Sequence, residues 1–342
     1  MSTQINLVVP GLFNLPLEEF APDFLASNLP ALNQILSYSN PIPNDQIDFE
    51  SIIASSLGLT GRQTLPFAQA YVEEAVDEPH RYLLCRTIHL KADMHNALVV
   101  PLESNSVNEV DSTLILEDLQ AFFSEDCDLK PLDNGLWLMR LKHCEASDCY
   151  PHYLSMIGRK ANQFIEQSKH ALPWYKLMNE MQMFMHQHPI NQNRLTTGLL
   201  PINSLWFWGA GEKLRGEKPK FDDHTAQWFC DDEQLIRFAD SSNIQHWPLD
   251  QLTQMKSSKN AVVIDLSLLE ALKSSSGDDL QAKLEILEKM VFKPALILFR
   301  SSRVSLQLRA GHRFDLTMTP FSKYKIWRSS KNLVSFGQPE ME

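Results

Sequence analysis

Residues 179–211, NEMQMFMHQHPINQNRLTTGLLPINSLWFWGAG, are the most informative stretch of this chain of 342 residues. A helical apolar pattern runs into the stretch and stops where Pro189 follows His188, because a proline disfavours a helical residue before it. The apolar run 205–208 has the composition of a strand. Side chains able to bind an anion are spaced through the stretch, at Asn179, His186, His188, Asn191, Arg194 and Asn203. A purely structural stretch would be built from leucine and valine, so these polar groups beside two tryptophans indicate a binding site.

Arg194 is the residue of this stretch best suited to an oxyanion. Its planar guanidinium group matches a phosphate or a carboxylate, and three amide side chains lie within a dozen residues of it. The alternative is an arginine bonded to backbone carbonyls or to Glu180. The sequence leaves both interpretations open.

Trp206 and Trp208 project to the same side of the predicted strand, either in the core or as a stacking surface for a ligand. His186 and His188 straddle the helix end, and Glu180 is the one carboxylate near them, so a metal site is not favoured. These histidines and Asn191 are interpreted as caps of that helix end or as residues that line a pocket. The predicted ligand-binding residues are Asn179, His186, His188, Asn191, Arg194, Asn203 and Trp208.

Outward from this stretch, strands alternate with helices towards both ends of the chain. Residues 5–9 form a short apolar run typical of a buried strand, and a helical pattern covers 24–38, with Pro30 as a start or a kink. The middle is more mixed, with a helix and two strands predicted between 62 and 102. A helix is also predicted at 278–290. Further strands are expected at 135–141, 261–266, 295–299, 304–308 and 314–318. This order predicts an α/β fold with an inserted domain.

Composition limits the classes of function. The chain is 44% hydrophobic and 21% charged, which is ordinary for a globular protein, and its net charge of −11 disfavours nucleic-acid binding. No apolar run approaches the ~18 residues that span a membrane. The N-terminus has no basic segment before its apolar run, so it predicts a first strand and not a signal peptide. Five scattered cysteines favour reduced thiols in the cytoplasm.

One segment is basic despite the negative net charge. Between Arg300 and Lys331 there are eight lysines and arginines against one acid, Asp315. The segment is interpreted as the solvated face of a C-terminal antiparallel sheet. The alternative is a site for an anion or for a protein partner.

The block N-E-x-Q-M…H-x-H-P-I-N-x-x-R…G…P-I-N-S-L-W-x-W-G-x-G resembles the RpfE-type regulatory proteins of proteobacteria. Through them it is similar to the archaeal-type cofactor-independent phosphoglycerate mutases of the alkaline phosphatase superfamily. Fainter similarities keep their order along the chain, at 29–33 (LPALN), at 88–93 (IHLKAD) and around Gly277 and Asp278.

The resemblance implies an α/β core sheet of the alkaline phosphatase type with helices on both faces, plus an inserted α+β domain. The core would comprise 1–60 and 222–342, and the insertion would comprise 61–221.

The chain departs from these enzymes where they bind two divalent metals through Asp and His. The first strand is followed by 9–12 (VPGL) instead of an Asp. A later Asp and His are replaced by residues near Ala271 and Ser275, and 300–302 (RSS) replaces an Asp-His pair expected after the last core strand. Alanine and serine cannot hold Mg²⁺ or Mn²⁺ in place of carboxylate or imidazole. The resemblance therefore implies the fold without the mutase reaction, and no cofactor or metal is expected.

Three classes of function follow from these patterns. The first is a degenerate RpfE-type protein that binds an anionic, phosphorylated metabolite or a protein partner and acts in regulation. The second is an active mutase or phosphatase with an atypical metal site. The third is an interaction module that uses the basic C-terminal sheet at Arg309 and Arg313. The atypical metal site of the second class would draw on His89, Asp93, His186 and His188.

Overall fold

The computed structural model describes most of the chain. The described residues are 3–44, 48–57, 59, 64–72, 79–93, 96–100, 102, 109–146, 150–157, 159–161, 172–214, 220–221, 224–255, 260–274, 277–301, 303–311, 313–324 and 329–336. The chain forms two compact units, a core unit of 1–63 with 215–342 and an insert unit of 64–214. The expected boundaries were 60/61 and 221/222.

The strands, in chain order, are β1 Thr3–Val8, β2 Asn40–Pro43, β3 Tyr82–Asp93, β4 Asn96–Val100, β5 Cys127–Pro131, β6 Leu136–Leu141, β7 Ser204–Trp208, β8 Lys220–Phe221, β9 His224–Cys230, β10 His246–Trp247, β11 Asn260–Ile264, β12 Val304–Arg309 and β13 Phe314–Met318.

The helices are α1 Pro22–Ser27, α2 Pro30–Tyr38, α3 Phe49–Ser56, α4 Glu109–Phe122, α5 Tyr153–Met156, α6 Leu172–Gln187, α7 Pro189–Thr196, α8 Glu233–Ser241, α9 Ser267–Ser274, α10 Gly277–Leu287 and α11 Lys293–Ser301. A π-helical turn, Glu288–Phe292, joins α10 to α11. Short 3₁₀ helices lie at Leu17–Glu19, Phe67–Tyr71, Pro79–Arg81, Asp133–Gly135, Leu249–Gln254, Ser322–Tyr324 and Leu333–Phe336.

The core unit is built on one sheet with the strand order β10-β9-β11-β1-β12-β13-β2, and β8 pairs with β9. The strands β9, β11, β1 and β12 run parallel, and β13 and β2 complete the sheet in antiparallel pairs. In the centre, Leu7 of β1 pairs with Val263 on one side and Leu308 on the other. All of β11 is buried, as expected of a parallel strand covered on both faces. The predicted α/β class, with helices on both faces, is confirmed.

The strand predicted at 295–299 is wrong, because these residues lie in helix α11. A short continuous apolar run fits a buried strand and a buried helix equally well. Here Ala295, Leu296 and Phe299 are buried at helical spacing, and α11 continues directly from the π-helical turn. Its buried side chains join the same core cluster as Leu306 of β12.

Two other predicted helical segments have different outcomes. The helical pattern over 24–38 forms two helices, and the predicted start at Pro30 is confirmed, because Pro30 is the first residue of the second helix, where its fixed φ is favourable. A helix was also predicted after residue 62, ahead of the two strands. Before β3, the described residues of this region form short 3₁₀ turns at Phe67–Tyr71 and Pro79–Arg81 instead.

The insert unit contains a five-stranded antiparallel sheet around the long strand β3. Cys85 of β3 pairs with Trp137 of β6 and with Phe207 of β7, so these two strands lie along opposite edges of β3. The second half of β3 pairs with β4. Helices α4 and α6 pack together in this unit. In the described part of the chain, no helix combines the length and the hydrophobicity that crossing a bilayer requires.

Gly209 ends β7 at a point where no side chain fits. Its φ is 79°, which L-residues rarely adopt. A Cβ here would lie 3.1 Å from the backbone nitrogen of Ala68, whose N–H donates a hydrogen bond to the Gly209 carbonyl. The first glycine of the Trp-Gly-Ala-Gly sequence is therefore required by close backbone packing.

Candidate functional site

The predicted site stretch forms α6, α7 and β7, all within the insert unit. His188 lies between the two helices and is the N-cap of α7, where its Nδ1 accepts the Ile190 N–H at 3.3 Å. Its Nε2 lies 2.9 Å from Oδ2 of Asp118. Because Nδ1 accepts a backbone proton, the geometry requires the tautomer in which Nε2–H donates to the carboxylate. His188 is therefore buried and bonded on both ring nitrogens.

Arg194 is also buried and bonded within the chain. Its Nη1 donates to Oδ2 of Asp111 at 2.7 Å, and its Nε donates to the Leu200 carbonyl at 2.9 Å. This is the structural role that the sequence left open, with Asp111 as the carboxylate in place of Glu180. The Glu180 carboxylate instead lies 3.5 Å from Lys176.

Asn191 and Asn203 act as substitutes for backbone groups. The Asn191 amide donates to the carbonyls of Met185 and Ile202 and accepts the Ile202 N–H at 2.7 Å. Asn203 accepts the Leu90 N–H at 2.7 Å and donates to the Leu90 carbonyl at 3.0 Å. Asn203 thereby extends the β7–β3 pairing beyond Ser204. Backbone groups inside a protein need such partners, and these amides supply them.

The other three predicted residues lie in different surroundings. His186 is exposed on α6. Trp208 is 1% exposed, and its ring lies 5.2 Å from the His152 ring. Asn179 is half-buried and lines a cavity of about 30 Å³ with Gln182, large enough for one or two waters.

The seven residues therefore do not gather around one ligand-sized cavity. Four of them, His188, Asn191, Arg194 and Asn203, have polar atoms that already bond within the chain. Their role in ligand binding stays a prediction.

The structure reveals partners on α4 that the sequence did not indicate. Asp111 and Asp118 are seven residues apart, so they lie on one face of α4. They bond to Arg194 and His188, and the Phe122 ring lies 5.0 Å from the Phe184 ring. These three contacts between α4 and the α6–α7 pair are called here the α4 seam. The signal in the sequence was the spacing of the two acids.

A second candidate site is the carboxyl edge of the core sheet. The helix after β9 leads to β10 on one side, whereas the helices after β11 lead to β12 on the other. The gap between the ends of β9 and β11 is therefore a topological switch point, where ligands of open α/β sheets bind. Asp231 and Asp232 directly follow β9, and Asp265 follows β11. The sequence interpretation did not name these carboxylates as site residues.

Each of these carboxylates caps a local backbone group. Asp231 accepts the Leu249 N–H at 3.1 Å. Asp232 is the N-cap of α8 and accepts the Leu235 N–H at 2.9 Å. Asp265 accepts both the N–H of Ser267 at 2.9 Å and its hydroxyl at 2.5 Å.

The electrostatics of this edge are unfavourable for another negative charge. Burial raises the pKa of Asp232 to about 6, with Glu270 and Asp265 raising it further and the Leu235 N–H opposing the rise. Burial also raises the pKa of Asp265, although its bonds to Ser267 and the charge of Lys283 lower it. Where these carboxylates are ionised, they would repel a phosphate group, because like charges at close range are unfavourable.

The two metal ions implied by the resemblance do not fit the described residues. Among these residues, no three His, Cys, Asp or Glu side chains converge on one point. After β1, Val9 and Leu12 are fully buried apolar residues, and Ala271 is buried in α9. Ser275 and Ser302 lie outside the described residues.

The last parallel strand of the core sheet is β12, so the position expected for the Asp-His pair follows Arg309 and is not 300–302. Arg300 and Ser301 belong to α11, and β12 is followed by Ala310 and Gly311. Neither residue can bind a metal through its side chain. His312 lies outside the described residues.

The histidines proposed for an atypical metal site do not converge. Two of them form hydrogen bonds within the chain, and the third is exposed. The Nδ1–H of His89 donates to the Pro201 carbonyl at 3.0 Å, and His188 is held by Asp118. His186 is exposed. The Asp93 side chain lies outside the described residues.

Arg309 was expected on the exposed basic sheet, and this is wrong. It is buried, with its Nε 3.1 Å from Oδ2 of Asp315 and its Nη1 2.8 Å from Oγ of Ser55. Burial alternates along β12 from Val304 to Leu308 and departs from this pattern at Arg309, whose guanidinium group also donates to groups of helix α3. Arg300, Arg303 and Arg313 are exposed, whereas Lys325 and Arg328 lie outside the described residues.

Comparison with known proteins gives a distant relationship. No protein-family model matches the chain. It is 28% identical over 71 residues to the 2,3-bisphosphoglycerate-independent phosphoglycerate mutase of Methanothrix thermoacetophila, covering 21% of this chain and 18% of that protein. It is 31% identical over 80 residues to the probable mutase of the same type from Geobacter sulfurreducens, covering 23% and 20%. The matched region thus spans about a fifth of these relatives.

Two solved structures are similar over most of the chain. A protein from Pyrococcus horikoshii has a TM-score of 0.46 at 12% identity, covering 93% of this chain and 87% of that one. The cofactor-independent phosphoglycerate mutase from Thermoplasma acidophilum has a TM-score of 0.39 at 13% identity, covering 92% and 89%. The chain is weakly homologous to the 2,3-bisphosphoglycerate-independent phosphoglycerate mutases, over about a fifth of its length.

Proposed function

We propose that this chain is a phosphoglycerate-mutase-like protein that acts by binding, in a regulatory role, and does not carry out phosphoryl transfer with two metals. The observation that supports this most is the use of the carboxylates at the switch point. Asp231, Asp232 and Asp265 each accept hydrogen bonds from nearby residues. A two-metal centre instead needs several such groups turned towards one pair of ions.

The chemistry of the two candidate sites favours a protein partner over a phosphorylated metabolite. At the carboxyl edge of the core sheet, an anion would meet Asp231, Asp232 and Asp265. In the insert unit, the charge of Arg194 is already balanced by Asp111 at 2.7 Å. A phosphate at either place would lose its hydration for little compensating attraction.

An activity assay tests the enzymatic alternative, an active mutase or phosphatase. Purified full chain is incubated with Mn²⁺ and with 2-phosphoglycerate, 3-phosphoglycerate or p-nitrophenyl phosphate. We expect neither interconversion nor release of phosphate. Mn²⁺-dependent turnover that falls in Asp265→Asn would contradict the proposal and support an atypical mutase or phosphatase.

A thermal-shift measurement tests whether the chain binds a phosphorylated metabolite, the alternative to a protein partner. A ligand at 100 times its dissociation constant stabilises a protein by about 2.7 kcal/mol, which such a scan detects. We expect no shift with millimolar 3-phosphoglycerate in the absence of metal. A shift that is abolished in Arg194→Met would instead support the metabolite-binding form of the proposal.

A further inference from the structure

The insert unit has apolar side chains exposed on both sides of the α4 seam. Phe122 and Met183 are 68% and 64% exposed, which is unusual for large apolar side chains. The exposed apolar residues next to the seam, on α4, α6, α7 and the turn after α7, are Leu114, Phe122, Met183, Leu195, Leu199 and Leu200. They are called here the seam surface.

Contacts of the α4 seam place these residues near one another on the insert unit. At one end, Phe122 packs against Phe184, the neighbour of Met183 on α6. At the other end, the Leu200 carbonyl bonds to Arg194, whose partner Asp111 lies one helical turn before Leu114. The α4 seam therefore joins the elements that carry these apolar side chains, namely α4, α6, α7 and the turn after α7.

The seam surface is acidic as well as apolar. Residues 109–126 contain six aspartates and glutamates and no lysine, arginine or histidine. Glu117 and Asp118 are exposed on α4 between Leu114 and Phe122. The one charged residue of α7 is Arg194, which Asp111 neutralises.

The exposed apolar area and the acidic residues together indicate which kind of binding partner fits the seam surface. Two copies of the chain paired through this surface would bring two surfaces with exposed acids into one interface, and like charges in an interface are unfavourable. An anionic membrane surface would be repelled in the same way. A basic segment with apolar side chains satisfies both the charge and the exposed apolar area.

We infer that the seam surface is the docking site for a cationic, amphipathic helix of a partner protein. Such helices place apolar side chains one turn apart in a groove of the partner, and lysines or arginines beside them meet acids at the rim. This inference rests on the proposed binding function and names the class of partner.

The test uses two labelled 18-residue helical peptides with the same leucine pattern, one with lysines and one with glutamates on the polar face. Binding to the full chain is followed by fluorescence anisotropy at low and physiological salt. We expect the lysine peptide to bind and the glutamate peptide not to bind. Absence of binding by the lysine peptide, or equal binding of both, would overturn the inference.

Matched variants locate the contact. Leu114→Ser with Phe122→Ser is expected to weaken binding at least about tenfold, the loss associated with removing apolar anchors. Ile286→Ser, at a 49% exposed position on α10, is the matched control and should leave binding unchanged. Glu117→Lys should weaken binding, whereas Asp250→Lys, at an exposed position of the core unit, should do so only slightly. Equal losses in the variants and their controls would show nonspecific attraction to an acidic protein.

The outcome is independent of the test for catalysis. Mn²⁺-dependent turnover together with specific peptide binding would refute the proposed function and leave the docking site standing. If the chain shows neither turnover nor peptide binding, the docking site is refuted and the proposed function stands. Circular dichroism of each variant confirms that a loss of binding does not come from unfolding.

Discussion

The His188 ring joins two helices, because Nε2 lies 2.9 Å from the Asp118 carboxylate of α4 while Nδ1 caps α7. His188, which lies in the most recognisable stretch of the sequence, thus uses both ring nitrogens in hydrogen bonds within the chain. The same is true of Arg194, Asn191 and Asn203. The stretch therefore builds the insert unit around the α4 seam and β7.

Replacing His188 by alanine should destabilise the insert unit. The change removes both the cap of α7 and the bond to Asp118, and losses of this kind reduce the free energy of unfolding by about 1–2 kcal/mol. Urea unfolding measures the difference. His186→Ala is the control, because that exposed side chain should change stability by less than about 0.5 kcal/mol. Equal effects of the two variants would contradict the assigned role of His188.

Replacing Asn203 by alanine should loosen the end of the β7–β3 pairing. The Leu90 N–H and carbonyl would both lose their partner, at a cost of about 1–3 kcal/mol. Hydrogen exchange of the Leu90 amide should become faster, while that of Leu84, which belongs to the backbone pairing, should change less. Asn193→Ala, at an exposed position of α7, serves as the control. Unchanged protection at Leu90 would rule out this function of Asn203.

Asp232 should make stability depend on pH. Its pKa in the folded chain is raised to about 6 from 3.8, so the folded state binds the proton more tightly than the unfolded state. The ionised carboxylate therefore destabilises the fold above pH 6, and this effect disappears below pH 4. Asp232→Asn keeps a good N-cap and removes the charge.

The Asp232→Asn variant should therefore be more stable than the parent at pH 7–8, by about 1–3 kcal/mol, and equally stable near pH 4. Thermal unfolding of both proteins across this pH range is the measurement. A variant less stable than the parent at pH 8 would mean that the carboxylate has a stabilising partner in solution.

Arg309 and Arg313 should differ in their effects despite lying four residues apart. Removing Arg309 leaves Asp315 buried without its cation, and breaking a buried pair in this way is destabilising by about 3–5 kcal/mol. Arg313 is exposed, so Arg313→Ala should have an effect below about 0.5 kcal/mol. Chemical denaturation of the two variants gives the comparison, and similar losses would be inconsistent with the buried pair.

The α/β class could be predicted because apolar runs such as those of β1 and β11 alternate along the chain with segments of helical spacing, as in a sheet covered by helices. The strand predicted at 295–299 was wrong because an apolar run of five residues has no clear period. Only its position after α10 and the π-helical turn makes it helical.

The candidate site was harder to predict, because a polar side chain does not reveal its partner in the sequence. Asp118 is 70 residues from His188, and Leu90 is 113 residues from Asn203. Asp265 was not recognised because a single acid after a strand is common at helix starts. Asp265 becomes a candidate only because it lies at the topological switch point, and that position depends on the order of the strands in the sheet.

Titration of the full chain with Mn²⁺ by calorimetry tests the central claim most directly. We expect no stoichiometric binding at micromolar concentrations, because the carboxylates at the ends of β9 and β11 bond to local backbone groups. Binding of two ions per chain, lost in Asp232→Asn and in Asp265→Asn but retained in Asp250→Asn, would contradict it.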